Sequence, residues 1–83
     1  MNDQALIIYK LLEQLKKKYL TPEIIRRAII EGDTARQNTL ETIEALCQAV
    51  ITSLNFGNYK RAVKYLAIAT DFCERYSVRL KDL

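Results

Sequence analysis

Only three residues in this chain of 83 are strong breakers of regular backbone: Pro22, Gly32 and Gly57. An antiparallel β protein turns about every 8–12 residues and draws on glycine and proline to do so. Three punctuation marks leave room for a few long elements, and the expected class is all-α. Each mark also carries a local meaning. Thr21-Pro22-Glu23 is a helix start, in which threonine caps, proline takes the first helical position and glutamate complements the positive helix end. Gly32 ends that helix. Gly57 can adopt the left-handed conformation that closes another, and Asn58 can cap the helix that follows.

Hydrophobic spacing fills the intervals. Ala5, Ile8, Leu12, Leu15 and Tyr19 recur at steps of three and four, which predicts a helix over about 3–19 with Asn2 or Asp3 as its cap. Ile7 and Leu11 widen that stripe. A short second helix is expected over 22–31, with Ile25 and Ile29 beside Ile24 and Ala28. Helix three is expected over 34–55, starting at Asp33 or Thr34, where Thr34-Ala-Arg-Gln37 has the form of a capping box. Its seam is Leu40, Ile43, Cys47, Val50 and Leu54, with Gln37, Glu41, Glu44, Gln48 and Asn55 opposite. Helix four, over 59–80, carries the seam Ala62, Leu66, Ala69, Cys73, Tyr76 and Leu80, whose small residues allow close approach by helix three. The predicted architecture is one helical domain spanning 1–83. It is a compact four-helix bundle in which helices three and four form a long antiparallel hairpin.

Hydrophobic residues make up 49% of the chain, a large share to bury in so short a domain. A homo-oligomer, a homodimer for instance, or a constitutive protein partner is therefore expected. Charge alternates along the chain. Residues 15–30 carry Lys16, Lys17, Lys18, Arg26 and Arg27 against Glu23, and residues 31–56 carry Glu31, Asp33, Glu41 and Glu44 against Arg36. Residues 57–81 carry Lys60, Arg61, Lys64, Arg75, Arg79 and Lys81 against Asp71 and Glu74. This pattern favours packing the acidic element between basic ones. The apolar run Ala5–Leu15 is broken by Lys10, Glu13 and Gln14, with no cleavage site after it. Nothing approaches a membrane span of about 20 apolar residues. A cytoplasmic protein is the expectation. The first helix has the amphipathicity of a membrane-surface element, but the rest of the chain can cover so narrow a stripe, and burial in the bundle is expected.

Catalytic chemistry has little to work with. Histidine is absent, Ser53 and Ser77 have no neighbouring base in sequence, and no glycine-rich phosphate loop occurs. Glu41 and Glu44 share a helix face, but a carboxylate-bridged metal pair requires histidine and further acids on other helices. No enzyme activity, cofactor or metal is expected. In a hairpin turning near Gly57, Cys47 and Cys73 are offset by about 9 Å along the helix axes at 1.5 Å per residue. A disulfide requires α-carbons within roughly 7 Å, so buried free thiols are expected.

Two groups of residues are candidates for binding. Arg61, Tyr65, Ile68, Phe72, Arg75 and Arg79 share the flank of helix four beside its seam, and tyrosine, phenylalanine and arginine are characteristic of protein-interaction hot spots. Tyr65, Ile68 and Phe72 either pack against helix one or two or form a partner surface. The second group, Lys16, Lys17, Lys18, Arg26 and Arg27, gathers at the corner between helices one and two, where it can meet phosphates. Its neighbours Ile24, Ile25, Ile29 and Ile30 offer little for reading bases. The leading expectation is a non-catalytic protein-binding module, such as an adaptor, small chaperone or inhibitor. A small nucleic-acid-binding regulator is the alternative.

The segment Gly57-Asn-Tyr59-Lys-Arg-Ala62-Val-Lys-Tyr65-Leu66, followed by Ala69, resembles the second half of a tetratricopeptide repeat, matching at Gly57, Tyr59, Ala62 and Ala69. The first half departs from that pattern at Leu46 and Ala49-Val50, and no closing proline stands near Glu74. The resemblance covers about 30 residues and implies a groove that cradles a peptide or helix. In size and charge the chain is also similar to small basic bundles among bacteriocin immunity proteins and phage- or plasmid-encoded regulators.

Overall fold

The computed structural model describes the backbone of residues 3–81 and the side chains of residues 3–77. Four helices follow in order: α1 (Asp3–Tyr19), α2 (Pro22–Ile30), α3 (Thr34–Asn55) and α4 (Tyr59–Lys81). No strand occurs among the described residues. Three expected participants lie outside the described residues: Asn2 as a cap, and the side chains of Arg79 and Leu80.

The connections follow from their capping chemistry. Thr21 Oγ1 accepts a hydrogen bond from the Ile24 amide at 3.2 Å, and Pro22 opens α2. Gly32 and Gly57 are the positive-φ residues, at 64° and 71°. After Gly57 reverses the chain, the Asn58 amide donates back to the Ser53 carbonyl at 2.8 Å. The Asn58 side chain then accepts from the Arg61 amide at 3.1 Å. Nothing lies within 4 Å of a Cβ built at either glycine, so the requirement is conformational rather than steric.

The start of α3 differs from the capping box expected at Thr34. Asp33 is the cap, its carboxylate accepting from the Arg36 amide at 3.0 Å. Gln37 does not reach back to the cap. Its side chain donates to the Ala28 carbonyl at 3.1 Å, stitching the end of α2 to α3 and moving Gln37 off the solvated face. Two adjacent residues can each cap, and an ionised acceptor makes the stronger bond to a backbone amide.

The seams meet in one cluster that joins Ile8, Leu12 and Tyr19 of α1, Ile43, Cys47 and Val50 of α3, and Ala62, Leu66, Cys73 and Tyr76 of α4. Ala62 and Ala69 have no exposed surface, which lets α3 and α4 approach closely. The helix α1 runs parallel to α4: Gln4 lies by Gly57 and Val63, while Leu11 and Leu15 lie by Leu66 and Thr70. The acidic helix α3 touches the other three. Lys16 and Glu44 both act on the Cys47 thiol from either side of the α1–α3 contact.

The body is elongated, 41 × 21 × 16 Å with a radius of gyration of 13.6 Å, against about 12 Å for a rounder domain of this length. Elongation leaves apolar surface uncovered. Ile7 and Leu11, expected to widen the buried stripe, are 59% and 48% exposed because α1 is held along one edge only. Nine-residue α2 packs mainly on α3 and buries Ala28, leaving Ile29 and Ile30 exposed.

Candidate protein-binding surface

The α3–α4 hairpin has two long sides, and α1 lies along one of them. The other is an open groove of about 360 Å³ lined by Ala45, Gln48, Ala49, Thr52, Ser53 and Phe56 on the α3 side and by Asn58, Arg61 and Tyr65 on the α4 side. Most of the α3 lip is made of small residues, Ala45, Ala49, Thr52 and Ser53, with Gln48 among them. Its one buried hydroxyl, on Ser53, is satisfied by the Ala49 carbonyl at 2.8 Å. At the hairpin tip Phe56 is 84% exposed.

Arg61 and Tyr65 of the helix-four row line this groove, while Ile68, Phe72 and Arg75 continue the same flank of α4 beyond it, and the row divides into two kinds of residue. Tyr65 and Phe72 are half-buried and pack against the core. Ile68, between them, is 42% exposed. The core reading and the surface reading therefore each describe part of the row, because a flank 60–120° off the seam straddles the core boundary. Arg61 braces Tyr65: its guanidinium lies 5.5 Å from the ring centroid and donates to the phenol oxygen at 3.4 Å. That hydrogen bond, with the positive charge, holds the Tyr65 phenol below its ordinary pKa. Arg75 is exposed and pairs with Asp71 at 3.2 Å.

The second candidate group does not form one surface. Lys18 and Arg27 share a cleft of about 430 Å³ with Tyr19, Glu23, Arg36, Tyr76 and others. Lys16 is half-buried and close enough to α3 for its charge to act on Cys47, while Lys17 and Arg26 are exposed and do not line that cleft. Within the cleft Arg36 is already engaged, 3.7 Å from Glu31 and 3.6 Å from Asp33. The buried Tyr76 hydroxyl has no hydrogen-bond partner among the described residues, and burial raises its pKa.

Cys47 and Cys73 are buried free thiols. Burial pushes Cys73 up to about 11 from 9.0, with Cys47 adding to the shift, and raises Cys47 as well. The folded chain therefore keeps a thiol proton that the unfolded chain releases, and stability must fall as pH rises from about 9 to about 11. The expected result is a lower denaturant midpoint at pH 10.5 than at pH 8, with thiols that react with a soluble disulfide reagent at pH 8 only after unfolding. A midpoint that climbs over this interval contradicts the assignment.

Among the described residues no group of three or more Cys, Asp or Glu side chains comes together to hold a metal ion. Among these residues, too, no helix is long and apolar enough to cross a membrane. The α3 lip and Phe56 were absent from the candidates drawn from sequence. Alanine and threonine carry no binding signature of their own, but the exposed aromatic beside Gly57 was visible in the sequence. Comparison with protein-family models, curated proteins and solved structures gave no match to this chain.

Proposed function

We propose that this chain is a non-catalytic protein-binding module, an adaptor, small chaperone or inhibitor, that holds a segment of a partner protein in the open α3–α4 groove. The observation that carries the proposal is the flank itself. Ile68 and Phe56 expose apolar surface, at 42% and 84%, beside half-buried Tyr65 and Phe72, along a side of the hairpin that α1 leaves free. An aromatic and aliphatic strip bordered by arginine matches the composition of interface anchors. The half-repeat resemblance around Gly57 fits the same use, as does the presence of two unpaired thiols in a protein acting in a reducing cytoplasm.

The nucleic-acid alternative has less support, since only Lys18 and Arg27 of its five basic residues share a cleft, alongside Glu23. The discriminating experiment is affinity capture from native lysate at low and high salt, with the solution mass of the purified chain. One defined protein retained at both salts is expected. Retention of nucleic acid that is lost at high salt sinks the proposal, because phosphate contacts are lost steeply with salt.

A further inference from the structure

The groove carries an excess of positive charge at one end only. Asn58, Lys60, Arg61, Lys64 and Tyr65 line a shallow depression next to it at the hairpin tip, and no acidic side chain lines either hollow. At the far end Arg75 is matched by Asp71, and Glu41 stands exposed one turn before Ala45 on α3. Between the two ends lie Ala45, Ala49, Ile68 and Phe72, with no charge among them. A basic tip that continues into an apolar strip asks for a partner with the opposite arrangement.

Resting on the protein-binding reading above, we propose that the occupant is an amphipathic helical segment of another protein. Its apolar face lies along Tyr65, Ile68 and Phe72, and its acidic end sits against Lys60, Arg61 and Lys64. A helix of about 16 residues, about 24 Å long, spans the distance from the tip to Phe72. The small side chains at Ala45 and Ala49 permit close approach of a helix backbone.

A second copy of this chain fits poorly. On this flank Asp71 already pairs with Arg75, Glu44 lies on the side of α3 that faces Lys16, and exposed Glu41 shares the α3 face of Ala45 and Gln48. A copy docked face to face therefore offers one carboxylate, Glu41, to a tip that carries three cations, Lys60, Arg61 and Lys64. A nucleic acid satisfies Lys60, Arg61 and Lys64 but leaves Ile68 and Phe72 bare.

The test is selection from a displayed library of helical peptides of about this length against the full 83-residue protein. The library fixes one apolar stripe and varies three positions at each end among Glu, Gln and Lys. Selected peptides are expected to carry glutamate at one end only. They should bind about tenfold more tightly than their lysine-ended counterparts at physiological salt, and a Lys60→Ala, Arg61→Ala, Lys64→Ala variant of unchanged melting temperature should lose that preference.

Selection of peptides without charge preference overturns this inference and leaves the groove as a docking site. Enrichment of no peptide overturns both. Tighter binding of a uridine oligonucleotide than of any selected peptide overturns both and assigns the basic tip to nucleic acid. A dimer in solution that dissociates on Ile68→Asp substitution makes the flank a self-interface and overturns the acidic-helix inference.

Discussion

Leu12→Ala is expected to cost about 3 kcal/mol and to lower the melting temperature on the order of 15 °C. Leu12 has no exposed surface and is among the largest fully buried side chains. It sits midway along the α1 stripe, in the cluster that joins α1 to both α3 and α4. Removing three carbons there forfeits their transfer free energy and leaves a cavity between helices too long to collapse locally. A domain of this size has roughly 5–10 kcal/mol in total, so the variant is marginal. The control is the adjacent residue. Leu11, 48% exposed, should change stability by no more than about 0.5 kcal/mol on substitution by alanine. Thermal unfolding of the two variants decides the point, and equal losses would mean that α1 is rotated about its axis relative to this description.

The second large effect separates fold from binding within one row. Phe72→Asp places a charge where a half-buried ring packs on the core, and about 3 kcal/mol of stability should be lost. Ile68→Asp, four residues earlier on the same flank, changes a side chain that is 42% exposed. Its melting temperature should stay within about 3 °C of the parent, while partner binding falls at least tenfold, about 1.4 kcal/mol. If Ile68→Asp unfolds the protein as Phe72→Asp does, the row is core throughout and the docking surface lies elsewhere. If both variants keep fold and binding, the groove has no role. Calorimetry combined with a binding titration distinguishes the cases.

These expectations rest on features of unequal legibility. The seams of α1, α3 and α4 could be read from sequence because a buried stripe repeats every 3.6 residues, and a long helix repeats it several times. Leu40, Ile43, Cys47 and Val50 are buried as that spacing requires, and Leu54 is half-buried. The turn at Gly57 was equally plain, since left-handed backbone favours glycine. Short α2 was harder. With nine residues, its isoleucines could not announce that Ile24 and Ile25 would be half-buried and Ile29 and Ile30 exposed, with Ala28 alone fully buried. The start of α3 stayed open between Asp33 and Thr34 because both have the side chain to cap, and Asp33 is the cap.

The site was half legible. Arg61, Tyr65, Ile68, Phe72 and Arg75 form a helical row that any periodicity count detects. Which of them are buried depends on how far α3 leans over that flank, a tertiary quantity. The facing lip, Ala45, Ala49 and Thr52, is informative only once paired with α4. The cleft that gathers Lys18, Arg27, Arg36 and Tyr76 draws on all four helices. Five basic residues close in sequence were separated instead, because residues one apart on a helix point about 100° away from each other.

The central claim is that the open side of the α3–α4 hairpin receives a partner. Amide chemical-shift mapping on titration with the captured partner, or with a selected acidic peptide, addresses it most directly. The largest perturbations are predicted at Ala45, Ala49, Thr52, Phe56, Arg61, Tyr65 and Ile68, with α1 residues such as Leu11 unmoved. Perturbations confined to the cleft of Lys18, Arg27 and Tyr76, or to the exposed face of α1, would contradict it.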